Sequence, residues 1–406
     1  MCFCDRQGIP ESLLRTSDEK EGATGRPDQY RRSPALDGSD SDQEPSDEDV
    51  ESDSSIDDQF EKDVSSLRDY SFISAVEDGK TFEMHSLVQL ATRRWLEFEG
   101  QQETWKSEFI RRLNAQLPTG AYENWAACRA FLPHTVAAAA QRPKDEASLK
   151  GLASILYKAA WYLWLMGQGH EAQKMAEGAK KLSMKIFGRA HEESQYAIEM
   201  LGHAHNLQGH WKAAEKLFVE VMETRKQKLG VDHPSTLASM ANLASTFSNQ
   251  GRWEEAEKLD VEVMETSKQK LGVDHPSTLA SMANLASTFS NQGRWEEAEK
   301  LDVEVMETSK QKLGADHPDT LTSMNNLAYT WNGQGRLPEA LELIRECIRI
   351  GRDVLGGRHP HYLSSLETLH AWELKDTDPT TTAQRNPRSR PTFEEKIRRI
   401  TARLKI

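Results

Sequence analysis

The sequence predicts an all-α protein built around an α-solenoid, and the observation that predicts it is a tandem repeat. Residues 226–272 and 268–314 are identical, letter for letter, so the stretch that begins at residue 226 begins again at residue 268. A fixed period of about 20–50 residues is the signature of a solenoid, in which each unit buries its apolar face against its neighbours. Such an array presents an extended surface. We therefore expect a binding protein and no enzyme activity.

Each unit reads as an antiparallel pair of helices. Pro234 stands at a first helical position, where its missing N–H would lack a partner anyway. Apolar side chains then follow on one face of a helix, at Leu237, Met240, Ala244 and Phe247. Glycine at 251 and at 272 ends the first and the second helix. We predict helices near 235–249 and 252–271, with equivalents one period further on, in a repeat region at 149–372.

Some units depart from the pattern. Unit 149–190 is faint, and 359–372 supplies only a first helix, as expected of the ends of an array. Asp260 and Asp302 interrupt the apolar stripe of the second helix. Because a buried, unpaired carboxylate is costly, we expect both at the edge of a groove, in contact with water.

The repeat resembles a known family. His275-Pro276-Ser277-Thr278-Leu279, Asn284-Leu285-Ala286 and Gln292-Gly293-Arg294-Trp295 match the tetratricopeptide repeat, specifically the 42-residue form of kinesin light chains. The resemblance implies a right-handed superhelix whose concave groove, lined by first helices, binds a protein or an extended peptide.

Candidate binding residues follow from the resemblance. It implies that Asn242, Asn284 and Asn326 contact the main chain of a bound peptide, since an amide both donates and accepts hydrogen bonds. The alternative is that these asparagines help to pack the adjacent unit. One turn earlier on the same side, three serines are expected to line the same groove: Ser239, Ser281 and Ser323.

A different module precedes the repeats. Residues 58–97 predict a helix, a β-hairpin with strands near 70–73 and 81–84, and a further helix that Ser86 can cap. This order is typical of a winged-helix-like module. Residues 98–148 are rich in helix formers and aromatic side chains, and we expect them to form a helical bridge to the repeats.

This module also carries a resemblance. Residues 67–74 (LRDYSFIS) and 82–95 (FEMHSLVQLATRRW) look like the segment between the nucleotide-binding domain and the repeats of fungal NOD-like (STAND) receptors. Residues 5–15 look like the start of that segment. The resemblance implies that 1–15 begin the module and that 16–57 are a disordered acidic insertion. It also implies that this chain is the C-terminal portion of such a receptor.

In the same family a Met-His pair closes over the bound nucleotide, and Met84-His85 occupies the corresponding position in this chain. The chain has no phosphate-binding loop of its own. Its nearest approach, residues 74–81, ends in Gly-Lys-Thr but lacks the first glycine and lies in a predicted hairpin turn. We therefore expect no cofactor, no nucleotide without an upstream domain, and an orphan nucleotide-sensor position at His85.

Charge is concentrated in two segments. Residues 37–63 hold thirteen acidic side chains and one lysine, which is typical of a solvated, disordered run. Near the C-terminus a disordered linker is expected at 373–391 and a basic amphipathic helix at 392–406. Such a helix can bind membranes or dock on the end of the solenoid, and we expect no membrane binding. Four cysteines without paired spacing and the lack of an apolar leader predict a cytoplasmic protein.

Together these observations favour a non-catalytic sensor or scaffold. The alternative is a cargo adaptor like kinesin light chain, which would predict a heptad coiled coil that residues 1–57 lack. A DNA-binding regulator would need a basic surface, and Arg93-Arg94 beside an acidic segment is too little, so no nucleic acid is expected. The in-register histidines cannot share a metal ion, because packed helices lie about 8–10 Å apart and zinc needs nitrogens at about 2.0–2.1 Å.

Overall fold

The computed structural model describes residues 1–15, 47–76, 80–357 and 359–376, with side chains described from residue 58 to residue 374 in the last three ranges. The predictions of a disordered insertion over 16–46, a linker over 377–391 and a basic helix over 392–406 lie outside the described residues. The chain divides into two compact units, residues 1–159 and 160–406.

The first unit contains a small sheet among helices. Its elements are β1 (Ile9–Pro10), α1 (Asp47–Asp69), β2 (Ile73–Ala75), β3 (Thr81–Met84), α2 (Ser86–Phe98), α3 (Gln102–Gln116) and α4 (Trp125–Ala139), and α5 (Glu146–Leu165) crosses into the second unit. β3 is the central strand and runs antiparallel to both β1 and β2. The predicted hairpin is present, but its first strand lies at Ile73–Ala75 and not at 70–73. α1 begins at Asp47, so residues 47–57, predicted as part of the disordered insertion, are helical.

The N-terminal residues contribute directly to this unit. Ile9 is fully buried and lies opposite Phe82, which is also buried, in the β1–β3 pair. The main-chain N–H of Asp5 donates to Nδ1 of His134 (3.1 Å), and Nε2 of the same ring donates to the carbonyl of Gly8 (2.9 Å). Arg15 lies over the ring of Phe60 on α1. Residues 1–15 therefore share one core with the hairpin and α4.

The second unit is a consecutive stack of antiparallel helices. After the end of α5 come α6 (Gly169–Phe187), α7 (Glu192–Leu207), α8 (Trp211–Leu229), α9 (Pro234–Asn249), α10 (Trp253–Leu271), α11 (Pro276–Gln292), α12 (Trp295–Leu313), α13 (Pro318–Gly333), α14 (Leu337–Val354) and α15 (Pro360–Asp376). From α6 onward each helix packs against the next one along the chain. The predicted α-solenoid is confirmed, and α15 is the lone first helix expected at its end.

The core of each unit is shared with the preceding unit. Ala286 on α11 and Ala298 on α12 are fully buried in one cluster, where the absence of larger side chains lets the two helices approach closely. Met264 on α10 packs against the same cluster. An apolar face of α11 is therefore covered partly by its own second helix and partly by that of the preceding unit.

The turn between units is built by the same residues each time. From residue 191 onward, a histidine is the N-cap of each first helix, and its Nδ1 accepts the main-chain N–H two residues on at 3.1–3.2 Å: His191, His233, His275, His317 and His359. The Thr278 hydroxyl donates to the carbonyl of Gly272 (2.8 Å). Gly272 itself has φ 92° and ψ 164°, a conformation open essentially to glycine alone. The spacing of histidine and glycine is thus a requirement of the turn.

A polar ladder also joins successive units. Gln250 and Arg252, at the end of α9, both donate to the carboxylate of Glu215 on α8 at 2.8 Å. The guanidinium of Arg252 lies 4.1 Å from the centre of the Phe247 ring. The same arrangement recurs twice along the stack, at Gln292, Arg294 and Glu257 and at Gln334, Arg336 and Glu299.

The expectation for Asp260 and Asp302 is wrong. Both are buried, with 3% of each residue exposed, and neither lies at a wet groove edge. The hydroxyl of Thr288 on α11 donates to Asp260 at 2.7 Å, and that of Thr330 on α13 donates to Asp302 at 2.6 Å. Each carboxylate is therefore satisfied across the interface with the next unit.

Replacing Asp260 tests the cost of this buried charge. Burial raises the pKa of Asp260 from 3.8 to about 6, so the folded state holds the proton more tightly than the unfolded state does. The ionised carboxylate therefore destabilises the fold above pH 6, and this cost disappears as the pH falls towards 4. Asp260→Asn keeps the acceptor for Thr288, and it should be more stable than the parent at pH 8 by up to roughly 3 kcal/mol. Equilibrium urea unfolding at several pH values measures the difference.

The exposed carboxylate of Asp353 provides the control, since Asp353→Asn removes a charge from the surface of α14. The stability gain of Asp260→Asn should shrink between pH 8 and pH 5, and the effect of Asp353→Asn should not follow that trend. A gain that is constant over this range would contradict a raised pKa at Asp260.

Candidate functional site

The first helices lie on the inner side of the stack. α9 contacts α11 and α11 contacts α13, whereas among the described helices α8, α10 and α12 make no comparable contacts with one another. An array whose first helices approach each other while its second helices diverge is concave on the first-helix side. The first helices therefore lie on the side of the stack where the sequence predicts a groove.

One stripe of each first helix faces this groove. Positions four, three and four residues apart stay on one side of a helix, and on each first helix such a series is wholly or partly exposed. We call these residues the first-helix face: Ala238, Asn242, Ser245 and Asn249 on α9; Ala280, Asn284, Ser287 and Asn291 on α11; Thr322, Asn326, Tyr329 and Gly333 on α13. All three predicted asparagines belong to it.

The three asparagines are not equivalent. Asn242 is half-buried, and its Nδ2 donates to Glu199 on α7 at 2.8 Å. At the positions that correspond to Glu199, the units before Asn284 and Asn326 have Ala241 and Ala283. No carboxylate at that position of the preceding unit therefore holds these two side chains. Asn242 therefore fits the packing role, whereas Asn284 and Asn326 lack this partner.

The serines are not placed as predicted. Ser239, Ser281 and Ser323 are buried, and each hydroxyl donates to the carbonyl three residues earlier in its own helix at 2.7–2.8 Å. These hydroxyls form hydrogen bonds within their own helices and do not line the groove. The exposed serines of the first-helix face are Ser245 and Ser287, which the sequence analysis did not single out.

A buried ion pair at one end of the first-helix face was also not predicted from the sequence. Arg225 on α8 binds Glu199 through two hydrogen bonds of 3.0 and 2.8 Å, and only 5% and 1% of the two side chains are exposed. Arg225 also donates to the carbonyl of Ser235 (3.2 Å) and lies over the ring of Tyr196. Aligning the repeats could have revealed this pair, because the next unit has the uncharged residues Ala241 and Ser267 at the positions of Glu199 and Arg225.

The candidate nucleotide-sensor residue lies in the first unit. His85 is exposed and is the N-cap of α2, where its Nδ1 accepts the N–H of Leu87 at 3.2 Å. This is the bond that the repeat histidines make in their own turns. Met84 beside it is buried, and its N–H donates to the carbonyl of Arg6 at 2.9 Å. His85 thus has a structural partner within this chain.

Among the described residues, no three His, Cys, Asp or Glu side chains converge so that they could hold a metal ion. No described helix is at once long enough and apolar enough to span a bilayer.

Comparison with known proteins agrees with this geometry. The family model for the tetratricopeptide repeat matches residues 194–269, 236–301 and 278–352. Residues 194–352 therefore consist of tetratricopeptide repeats, the fold of extended surfaces that bind proteins and peptides.

A curated relative is a nucleotide-binding leucine-rich repeat (NLR)-like protein of Hyaloscypha variabilis. It is 36% identical over 131 residues, which are 32% of this chain and 13% of that protein. The match thus covers about an eighth of the relative's length. This chain therefore matches a segment of that NLR-like protein and not its whole length.

Two solved structures are also similar. A Podosopora anserina protein, described as a kinesin light chain with nearly identical tetratricopeptide-like repeats, is 28% identical over 50% of this chain and 96% of its own, with a TM-score of 0.43. BtubC (BKLC) from P. vanneervenii is 16% identical over 62% of this chain and 94% of its own, with a TM-score of 0.43.

The buried ion pair can be tested against the chain's own repeats. Glu199→Ala leaves Arg225 buried without its counter-charge, and we expect a loss of about 3–5 kcal/mol in the free energy of unfolding. The double variant Glu199→Ala/Arg225→Ser installs the residues that the next unit has, and it should recover most of that loss. Urea unfolding at neutral pH compares the two. A double variant as unstable as the single one would show that the pair is not coupled.

Proposed function

We propose that this chain is a non-catalytic sensor or scaffold protein whose tetratricopeptide repeats capture an extended segment of a partner protein on the first-helix face. The observation that carries the proposal is the pair Asn284 and Asn326. Both lie on the inner side of the stack, one per unit, without the carboxylate that holds Asn242. An amide that is not committed to a neighbour can donate to a main-chain carbonyl and accept from a main-chain N–H.

The spacing suits an extended ligand. Successive units are offset by about one helix-pair spacing of roughly 10 Å, which equals about three residues of extended chain at ~3.3 Å each. A bound segment would therefore meet an equivalent amide at every third residue. Each such contact should contribute about 0.5–1.5 kcal/mol, so affinity would build up over several units.

The similarity to an NLR-like protein supports a role in sensing or scaffolding of the kind found in fungal NOD-like receptors. The match spans 13% of that protein, so a sensing or scaffolding role for this chain is a proposal. We place the chain in the cytoplasm. We also propose that His85 serves α2 as an N-cap and that the described part of the chain binds no nucleotide by itself.

Removing the two uncommitted amides tests the proposal. Dodecapeptides, selected from a random display library on the immobilised full chain, serve as probes. Asn284→Ala/Asn326→Ala should weaken their binding about tenfold, since two main-chain contacts are lost. Fluorescence anisotropy of a labelled peptide measures the affinity, and circular dichroism verifies that the helix content is unchanged.

Two controls separate binding from folding. Asn242→Ala should lower the melting temperature, because Glu199 loses a donor, while it weakens binding less than the double variant does. Glu262→Ala, on the exposed side of α10, should change neither. If no peptide is enriched, or if the double variant binds the selected peptides as tightly as the parent, the groove is not the binding surface.

A further inference from the structure

In the three units whose first helices are α9, α11 and α13, charge is distributed unequally between the two helices. α9 and α11 contain no Asp, Glu, Lys or Arg, and α13 contains only Asp319, in its first turn. The second helices α10 and α12, by contrast, share the sequence WEEAEKLDVEVMETSKQKL, in which nearly every second residue is charged. The uncharged surface is therefore the inner one, and the charged surface is the outer one.

Burial does not explain this lack of charge. Ala280, Asn284, Ser287 and Asn291 on α11 are all exposed. Exposed helix positions usually carry charged side chains in a soluble protein, because Lys, Glu, Arg and Asp are almost never fully buried and favour water. Here the exposed positions are filled by small side chains and amides in two copies that are identical in sequence. The inner surface is thus both accessible and uncharged.

Three arginines of the stack are already paired with carboxylates. Arg252 binds the carboxylates of Glu215 and Glu255, and Arg294 binds those of Glu257 and Glu297. At the α7 end, Arg225 is buried against Glu199. None of these groups is left to pair with a charge on a ligand.

We infer that the first-helix face recognises an extended peptide segment that is itself uncharged, over the roughly six residues that span Asn242 to Asn326. The inference rests on the proposed function and specifies its ligand. A Lys, Arg, Asp or Glu side chain placed against this face would lose hydration, and the first-helix face itself carries no counter-charge for it, which disfavours binding. Small polar side chains and main-chain amides of a ligand lose little free energy there, because the serines and asparagines of the face replace their hydrogen bonds to water.

The composition of selected peptides tests the inference. Dodecapeptides are selected on the full chain from a library in which every amino acid occurs at every position. The enriched peptides should share a central run of about six residues depleted in Asp, Glu, Lys and Arg relative to the input library. Their affinity should change less than about twofold between roughly 50 and 500 mM NaCl, because no ion pair is screened.

Introducing a charge on the face provides the matched comparison. Ser287→Lys should shift the selection towards peptides with Asp or Glu in the central run, and Ser287→Asp should shift it towards Lys or Arg. Ser287 is exposed, so neither variant should lower the helix content, which circular dichroism verifies. Both variants should bind the peptides selected on the parent chain at least severalfold more weakly.

The outcomes separate the inference from the proposed function. Peptides that are enriched, depend on Asn284 and Asn326, and share acidic or basic residues in the central run would overturn the inference and leave the proposed function standing. A selection that is unchanged by Ser287→Lys and Ser287→Asp would likewise overturn it. No enrichment on the parent chain would overturn both.

Discussion

Every helix of the repeat region depends on one constraint, which is that a helix pair cannot bury its apolar faces alone. α11 is covered by α10 on one side and by α12 on the other, and the pairs of fully buried alanines leave little room for a different arrangement. The same contacts must therefore form at each step of the stack. Packing, capping and the glycine turns fix most positions of the unit, and only the stripes facing water are left to vary.

The polar groups inside the stack follow from the same constraint. Asp260 and Asp302 occupy core positions, and they persist there because a threonine of the next unit donates to each of them. Glu199 and Arg225 neutralise one another at the first interface, and this pair commits Asn242 to a structural role. The units are thus alike in their helices but not in their polar contacts, and the two later asparagines lack the carboxylate partner that Asn242 has.

The period, the prolines and the glycines predicted the helices of the repeats almost to the residue, because these features act within a few residues of chain. Partners far apart in sequence were not predictable in this way. Ile9 pairs with a strand that begins only at Thr81, and the hydroxyl that reaches Asp260 belongs to the next unit. Periodicity places Ser281 on the same side of its helix as Asn284, but it does not reveal that its hydroxyl is used by its own main chain. The asparagines were predicted from the resemblance to the tetratricopeptide repeat, and the period places them at the same position of each first helix.

The central claim is that the units of Asn284 and Asn326 each contribute one equivalent contact to a shared groove, and the two identical copies allow a direct measurement. Deleting residues 268–309 removes one whole unit without creating a new junction, because Lys310 stands where Lys268 stood. The decisive measurement is the affinity of this shortened chain for a peptide selected on the full chain. The account predicts a folded protein of unchanged fractional helix content that binds roughly two- to tenfold more weakly, since one contact of about 0.5–1.5 kcal/mol is lost. An affinity equal to that of the full chain would contradict it.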